Sequence, residues 1–266
     1  MKRKILIIFY ILFLSAPVAI AQVCGVSASK LGACNATPVP LHSLEFEPIF
    51  ASKWSRKFWN QDRRIMPRFE STDSLEHNTN LTFRTTYGVS RNAEVGFLLN
   101  SDLSQMGLAG KIRFLQTGKN ELAWLAGYHY ERQGEQESNP GKPENISHSA
   151  VAGLSWTTFL SENWSVDTDF QWQTDYFQQN TGTQIFFNAD AGCFIKPGLQ
   201  AIMGISYNRG WGNTEPEIRE LTTLNLGGSI ETGENFLLIF GFPIDLYGRN
   251  EICQTGFVFA VTMIFN

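Results

Sequence analysis

The sequence predicts an all-β chain, a twelve-stranded antiparallel transmembrane β-barrel with short periplasmic turns and longer extracellular loops. Three observations carry that expectation. Hydrophobic residues recur every second position in segments of about nine to fifteen residues, and no stretch beyond Leu44 holds helical spacing. Tight connections alternate with longer ones along the chain. Finally, 43% of the 266 residues are hydrophobic and 13% aromatic while only 17% are charged, so a large apolar surface must be covered by something.

The N-terminus is set apart from this pattern. Met1 to Lys4 form a basic region, Ile5 to Leu14 an apolar run, and Ala19-Ile20-Ala21 a small-x-small cleavage site. These predict a signal peptide over 1–21, with the mature chain beginning at Gln22. Residues 22–42 follow as a periplasmic N-terminal segment, and 43–266 as the outer-membrane barrel. Cys24 and Cys34 lie in a loop-like stretch rich in Gly, Ser, Asn and Pro. In an oxidising compartment a local disulfide between them is the economical reading. Cys193 and Cys253 fall inside strand-like segments and read as small apolar residues.

The strands read in order as 43–51, 76–89, 93–101, 105–115, 120–132, 147–160, 163–177, 183–195, 198–208, 219–232, 235–247 and 251–266. The clearest is 163–177. Trp164, Val166, Thr168, Phe170, Trp172, Thr174 and Tyr176 share one face; Ser165, Asp167, Asp169, Gln171, Gln173 and Asp175 share the other. Such a strand spans a bilayer when tilted. In the last strand Phe257, Phe259, Val261, Met263 and Phe265 alternate with the smaller Gly256, Val258, Ala260 and Thr262. Pro243 interrupts an otherwise apolar row from Phe236 to Leu246 and predicts a kink.

Short joins fall after Val89, Leu115, Leu160, Ile195 and Thr232; the longer ones cover 52–75, 102–104, 133–146, 178–182, 209–218 and 248–250. Every long connection lies on one side. Aromatics stand at both heights, Tyr87, Phe159, Trp164, Phe236 and Phe265 by the short turns, Tyr130, Tyr176 and Tyr207 by the long loops. A secreted β-sandwich would also alternate, but its strands usually run about five or six residues. Closing the sheet with the greasy face outward also removes every edge.

If aromatic parity faces lipid, the opposite parity lines a lumen. Its candidates are Arg84, Lys111, Arg113, Glu121, His129, Asp167, Asp169, Gln171, Asp175 and Asp190, with Glu45, Glu47, Glu94 and Asp245 on the same parity. Two readings stay open. Arg84, Lys111 and Arg113 could face the acidic row of the 163–177 strand and orient a solute across the lumen, or all of these groups could be salt-bridged filler in a narrow barrel.

Other chemistry finds little support. The formal charge of −4, with scattered Lys and Arg, offers no footprint for nucleic acid. His42, His77, His129 and His148 stand in no hydrolase or zinc-protease context, so no catalytic residue, metal ligand or cofactor is assigned. Ser147-His148-Ser149 alternates between faces of one strand.

Ser43-Leu44-Glu45-Phe46-Glu47-Pro48, the hairpin from Tyr87 to Gly96 (YGVSRNAEVG) and the turn Leu160-Ser161-Glu162-Asn163-Trp164-Ser165 resemble the family of outer-membrane barrels grouped as meta-pathway phenol-degradation proteins, generally labelled transporters. The likeness runs over most of 43–266. It implies a roughly twelve-stranded barrel in the outer membrane of a Gram-negative bacterium, moving small, hydrophobic or aromatic solutes, and it implies no catalytic residues. Expected partners are outer-membrane lipids, a small-molecule solute and the barrel-assembly machinery, for which Phe265 supplies a near-terminal aromatic. The competing expectation is a non-conducting barrel that acts through its outer loops.

Overall fold

The computed structural model describes residues 25–27, 30–70, 74–133, 145–176, 182–212, 218–233 and 235–266. The proposed leader and Cys24 lie outside these residues, as do most of the loop at 133–146 and parts of those at 178–182 and 209–218. Among the described residues every regular element is a strand. They are β1 (Leu44–Trp59), β2 (Ile65–Pro67), β3 (Glu76–Ser90), β4 (Ala93–Asn100), β5 (Gln105–Gln116), β6 (Asn120–Gln133), β7 (Asn145–Phe159), β8 (Trp164–Tyr176), β9 (Thr183–Lys196), β10 (Leu199–Trp211), β11 (Ile218–Gly233), β12 (Phe236–Arg249) and β13 (Glu251–Phe265).

Each long strand pairs antiparallel with its sequence neighbour, and β13 returns to pair with β1, from Leu44 opposite Phe265 to Trp59 opposite Glu251. That pairing closes a barrel of twelve strands. β2 is a short extra strand hung on the far end of β1. Closure lets every spanning strand satisfy its backbone donors and acceptors without water, as hydrocarbon requires.

Burial is inverted relative to a soluble protein. Trp124, Trp156, Trp164, Phe170, Trp172, Phe236 and Phe242 are all exposed, whereas Lys111, Asp167 and Gln171 are fully buried. Only a surface facing lipid makes that arrangement favourable. The aromatics assigned to the short-turn height follow suit, with Tyr87, Phe159, Trp164, Phe236 and Phe265 all exposed, and Tyr176 is exposed at the opposite height. A soluble sandwich would leave these side chains in water.

Two strands depart from simple alternation. β1 continues to Trp59, beyond the end at residue 51 that alternation suggests, because a bulge between Ser55 and Lys57 shifts its parity. Trp54, before the bulge, keeps the outward parity of Leu44 and is exposed, while Trp59, past it, is buried over Gly248 on β12. In β12 the ladder to β13 breaks between Gly241 and Ile244, around Pro243, which has no N–H to give. The Asp245 carboxylate accepts the Gln254 backbone N–H there at 2.9 Å.

Candidate functional site

The lumen has two halves, and different parts of the chain occupy them. In the half carrying the short turns, the segment before β1 runs inside the barrel. Val26, Ser27, Lys30, Ala33, Cys34, Ala36 and Val39 are all buried there. Of the residues assigned to a periplasmic segment, those described from Gly25 to Val39 lie inside the barrel, while Pro40, Leu41 and His42 are exposed. Cys34 is buried and, among the described residues, free; the disulfide expected with Cys24 involves a residue outside them.

Wall carboxylates hold this inner segment by its backbone. One oxygen of Asp190 accepts the N–H groups of Leu31, Gly32 and Ala33 at 3.0, 2.6 and 2.8 Å. Asp169 accepts Cys34 N–H at 2.8 Å, and Glu94 accepts both Ser27 N–H at 2.8 Å and Val39 N–H at 2.6 Å. Side chains add to these bonds. Lys30 pairs with Asp167, and Thr37 donates to Glu121 at 2.6 Å. Lys111 pairs with Glu94 at 3.0 Å and donates to the Ser27 hydroxyl and the Asn35 carbonyl at 2.7 and 3.0 Å.

The wall is also cut to receive the segment. A Cβ on Gly96 would collide with the Gly25 carbonyl oxygen, and one on Gly88 with that of Pro40. Gly25 itself has φ of +96°, a conformation that favours glycine. Val26 and Cys34 pack with Ala109, Leu125 and Val151 into an apolar cluster at mid-lumen. Leu31 faces Gly241 on the opposite wall, where Ile202, Ile239, Ala260 and Ala51 are buried and apolar.

This geometry assigns the lumen candidates in a way that parity alone does not. Arg84, Lys111 and Arg113 do not face the acidic strand across an open lumen. Arg84 reaches Glu45 and Glu47 on the adjacent β1 at 3.2 and 2.9 Å, and Arg113 reaches Glu121 on the adjacent β6 at 3.0 Å. Asp167, Asp169 and Asp190 are consumed by the inner segment. Gln171 is buried between Asp169, which accepts from its amide at 2.7 Å, and the Cys34 sulfur. A transverse field is replaced by local neutralisation.

Asp175 and His129 belong to the other half, which is open. A cavity of about 230 Å³ lies toward the long loops, lined among others by Glu131, Asp175, Gln184, Asn208, Arg219 and Glu251. Ser149 donates to Asp175 at 2.7 Å. His129 sits opposite Ser149, itself opposite Asp175, on neighbouring strands. His129 is 6% exposed, and its Nε2 has no hydrogen-bond partner among the described residues.

The inner segment's contact residues Ser27, Lys30, Leu31, Asn35 and Thr37 are the part sequence reading missed. A signal existed in the wall. Glu45, Glu47, Glu94, Glu121, Asp167, Asp169 and Asp190 crowd the short-turn half, and among the described residues the wall strands answer them with Arg84, Lys111 and Arg113. That surplus requires donors from elsewhere.

Two histidines face outward. His148 contacts Tyr128 on the exterior, so Ser147 and Ser149 point the other way. Ser52 and His77 are 2.8 Å apart on the outer face. No carboxylate or amide side chain bonds His77 among the described residues, so the pair lacks an orienting group.

No protein-family model matches the chain. No curated protein matches it in sequence either. Among solved structures it is similar to the COG4313 outer membrane channel from Pseudomonas putida F1, with TM-score 0.69 and 10% identity over 89% of this chain and 100% of that one. It is also similar to the CymD monoaromatic hydrocarbon channel, with TM-score 0.51 and 10% identity over 93% and 98% of the two chains. At such identity the likeness is one of fold, and the fold is that of an outer-membrane β-barrel.

Proposed function

We propose that the protein is an outer-membrane channel for passive passage of small solutes, hydrophobic or aromatic compounds among them, with its own N-terminal segment as the gate. The observation that carries this reading is the division of the lumen. A cavity opens toward the long loops, and a hydrogen-bonded coil rather than a wall strand occupies the other half. A coil held by side-chain contacts can move without breaking the barrel ladder. The two similar proteins are an outer membrane channel and a monoaromatic hydrocarbon channel, which supports the solute class. The resemblance to the phenol-degradation transporters points the same way.

Purified protein in planar bilayers tests the reading. The full chain should give small, discrete conductance steps, and a chain lacking residues 25–40 should give larger ones. If both are silent while the barrel keeps its heat-modifiable gel mobility, the second reading holds, a non-conducting barrel acting through its loops. The inner segment's extensive buried polar bonding is what favours that alternative.

A further inference from the structure

The inner segment meets the two sides of the barrel on different terms. Its anchoring bonds, those above together with Thr86 Oγ1–H to the Gly25 carbonyl at 2.6 Å and Ala36 N–H to Thr157 at 2.9 Å, run to β3 through β9. Across from them the lumen face is apolar. Ile239 on β12 stands beside Ala260 on β13, and Ala260 beside Ile49 on β1. One step toward the long loops, Gly241 stands beside Val258, and Val258 beside Ala51. Phe240, Phe242 and Phe259, on the alternate positions, are exposed on the lipid side, so the two rows face the lumen.

Leu31 closes against this strip. A Cβ on Gly241 would lie 2.7, 3.6 and 3.7 Å from Leu31 Cδ2, Cδ1 and Cγ, so the leucine takes the space that a side chain on β12 would fill. A glycine inside a strand weakens it, and here it marks that close approach. The Leu31 backbone N–H is held by Asp190 on β9, so the side chain is the part that reaches β12. Leu31, Ile49 and Val258 are only half-buried although they lie inside the barrel, which leaves free space beside them. Parting the leucine side chain from Gly241 gives up van der Waals contact alone, whereas lifting the segment off β3 to β9 breaks charge-assisted bonds.

We infer that small apolar solutes enter the seam between Leu31 and the strip on β12, β13 and β1, and that the Leu31 side chain sets its width and its preference for uncharged molecules. The inference rests on the channel reading and adds to it a route and a specificity-determining residue. A hydrated ion meets no group along the two rows that can replace its water, so an apolar constriction holds charges back. A neutral aromatic molecule loses no hydrogen bonds there and gains contact with the strip. The polar side stays closed while the apolar side yields.

The experiment reads the reactivity of Val258→Cys in the full chain in detergent, in a Cys24→Ser, Cys193→Ser, Cys253→Ser background, with peptide mapping to locate the label. Benzyl methanethiosulfonate is the neutral reagent, and its sulfonatoethyl and trimethylammonioethyl counterparts carry the two charges. Relative to Lys119→Cys in an exposed turn, the neutral reagent should gain at least about tenfold over both charged ones. Leu31→Ala should speed neutral labelling severalfold while Cys34 stays unlabelled and heat-modifiable mobility is unchanged. Adding Gly241→Val should slow it again, because the valine refills the gap from the wall side. Equal gain for the charged reagents overturns the proposal, as does an unchanged rate in Leu31→Ala. A parallel rise at Cys34 overturns it too, since the whole segment would then have moved. Labelling is read without current, so silent bilayers from both the full chain and the chain lacking residues 25–40 would sink the channel reading and leave the seam as an apolar binding slot. Currents that grow on shortening while labelling ignores Leu31 would sink the seam alone.

Discussion

The two halves of the lumen are built from the same strands and similar residue types, yet they solve the problem of buried charge in opposite ways. Toward the short turns, acids are matched by backbone N–H groups, by Lys30 and by adjacent arginines, so that their charge is answered even though Arg84 Nε, Arg113 Nε, Ser155 Oγ, Gln171 Oε1 and Asp190 Oδ1 stay without a hydrogen bond among the described residues. Toward the long loops, Glu131 and Asp175 line a cavity with no cation bonded to either among the described residues. On the channel reading proposed above, neutralisation makes one half a lock, and the cavity with its unpaired carboxylates makes the other a place for a solute. Each half should therefore fail in its own way.

The largest expected effect is on the lock. Gly96→Val places a side chain where the Gly25 carbonyl now sits, on a strand whose backbone tolerates valine. The inner segment should leave the wall. In a Cys24→Ser, Cys193→Ser, Cys253→Ser background, Cys34 should pass from near-inert to freely alkylated by a maleimide, and channel conductance should rise. Continued protection of Cys34 would show that the segment is not seated by this contact.

A smaller effect is expected from Asp190→Ala, which strands the N–H groups of Leu31, Gly32 and Ala33. Hydrogen bonds to a charged group contribute roughly 1.5–3 kcal/mol each, and three sharing one oxygen contribute less than their sum. A loss of about 3 kcal/mol would speed Cys34 alkylation roughly a hundredfold. Thr37→Val removes a single, partly buried bond to Glu121 and should speed it by less than about tenfold. If the order of these two variants were reversed, the carboxylate would not be the main anchor.

The wall of both halves was legible in the sequence because lipid enforces it. Most outward positions must be apolar or aromatic, so parity and strand ends could be read to within a few residues, as for β8 and β13. β1 shows where this stops. The run Ser52-Lys53-Trp54-Ser55-Arg56-Lys57 does not alternate, and the bulge between Ser55 and Lys57 leaves no periodic trace. The inner segment was illegible for a deeper reason. It is a coil bound through its backbone amides, which every residue but proline possesses, so its side chains need carry no pattern. Its imprint was in the wall instead, as carboxylates without cations and as glycines at Gly88, Gly96 and Gly241.

The finest distinction between the halves concerns three aspartates of a single face of β8. By parity they are equivalent, and a lumen lined by them should prefer cations through all three. The structure separates them, because Asp167 is paired with Lys30, Asp169 accepts the Cys34 N–H, and Asp175 alone borders the cavity. A neutralised carboxylate contributes little field to a passing ion, whereas one facing water in a narrow, low-dielectric channel contributes more. Asp175→Asn should therefore shift the reversal potential in a salt gradient away from cation preference. Asp169→Asn should leave it nearly unchanged as long as Cys34 stays protected from alkylation. Equal shifts from both variants would mean that ions reach Asp169, and hence that the inner segment does not occupy the lumen while the channel conducts.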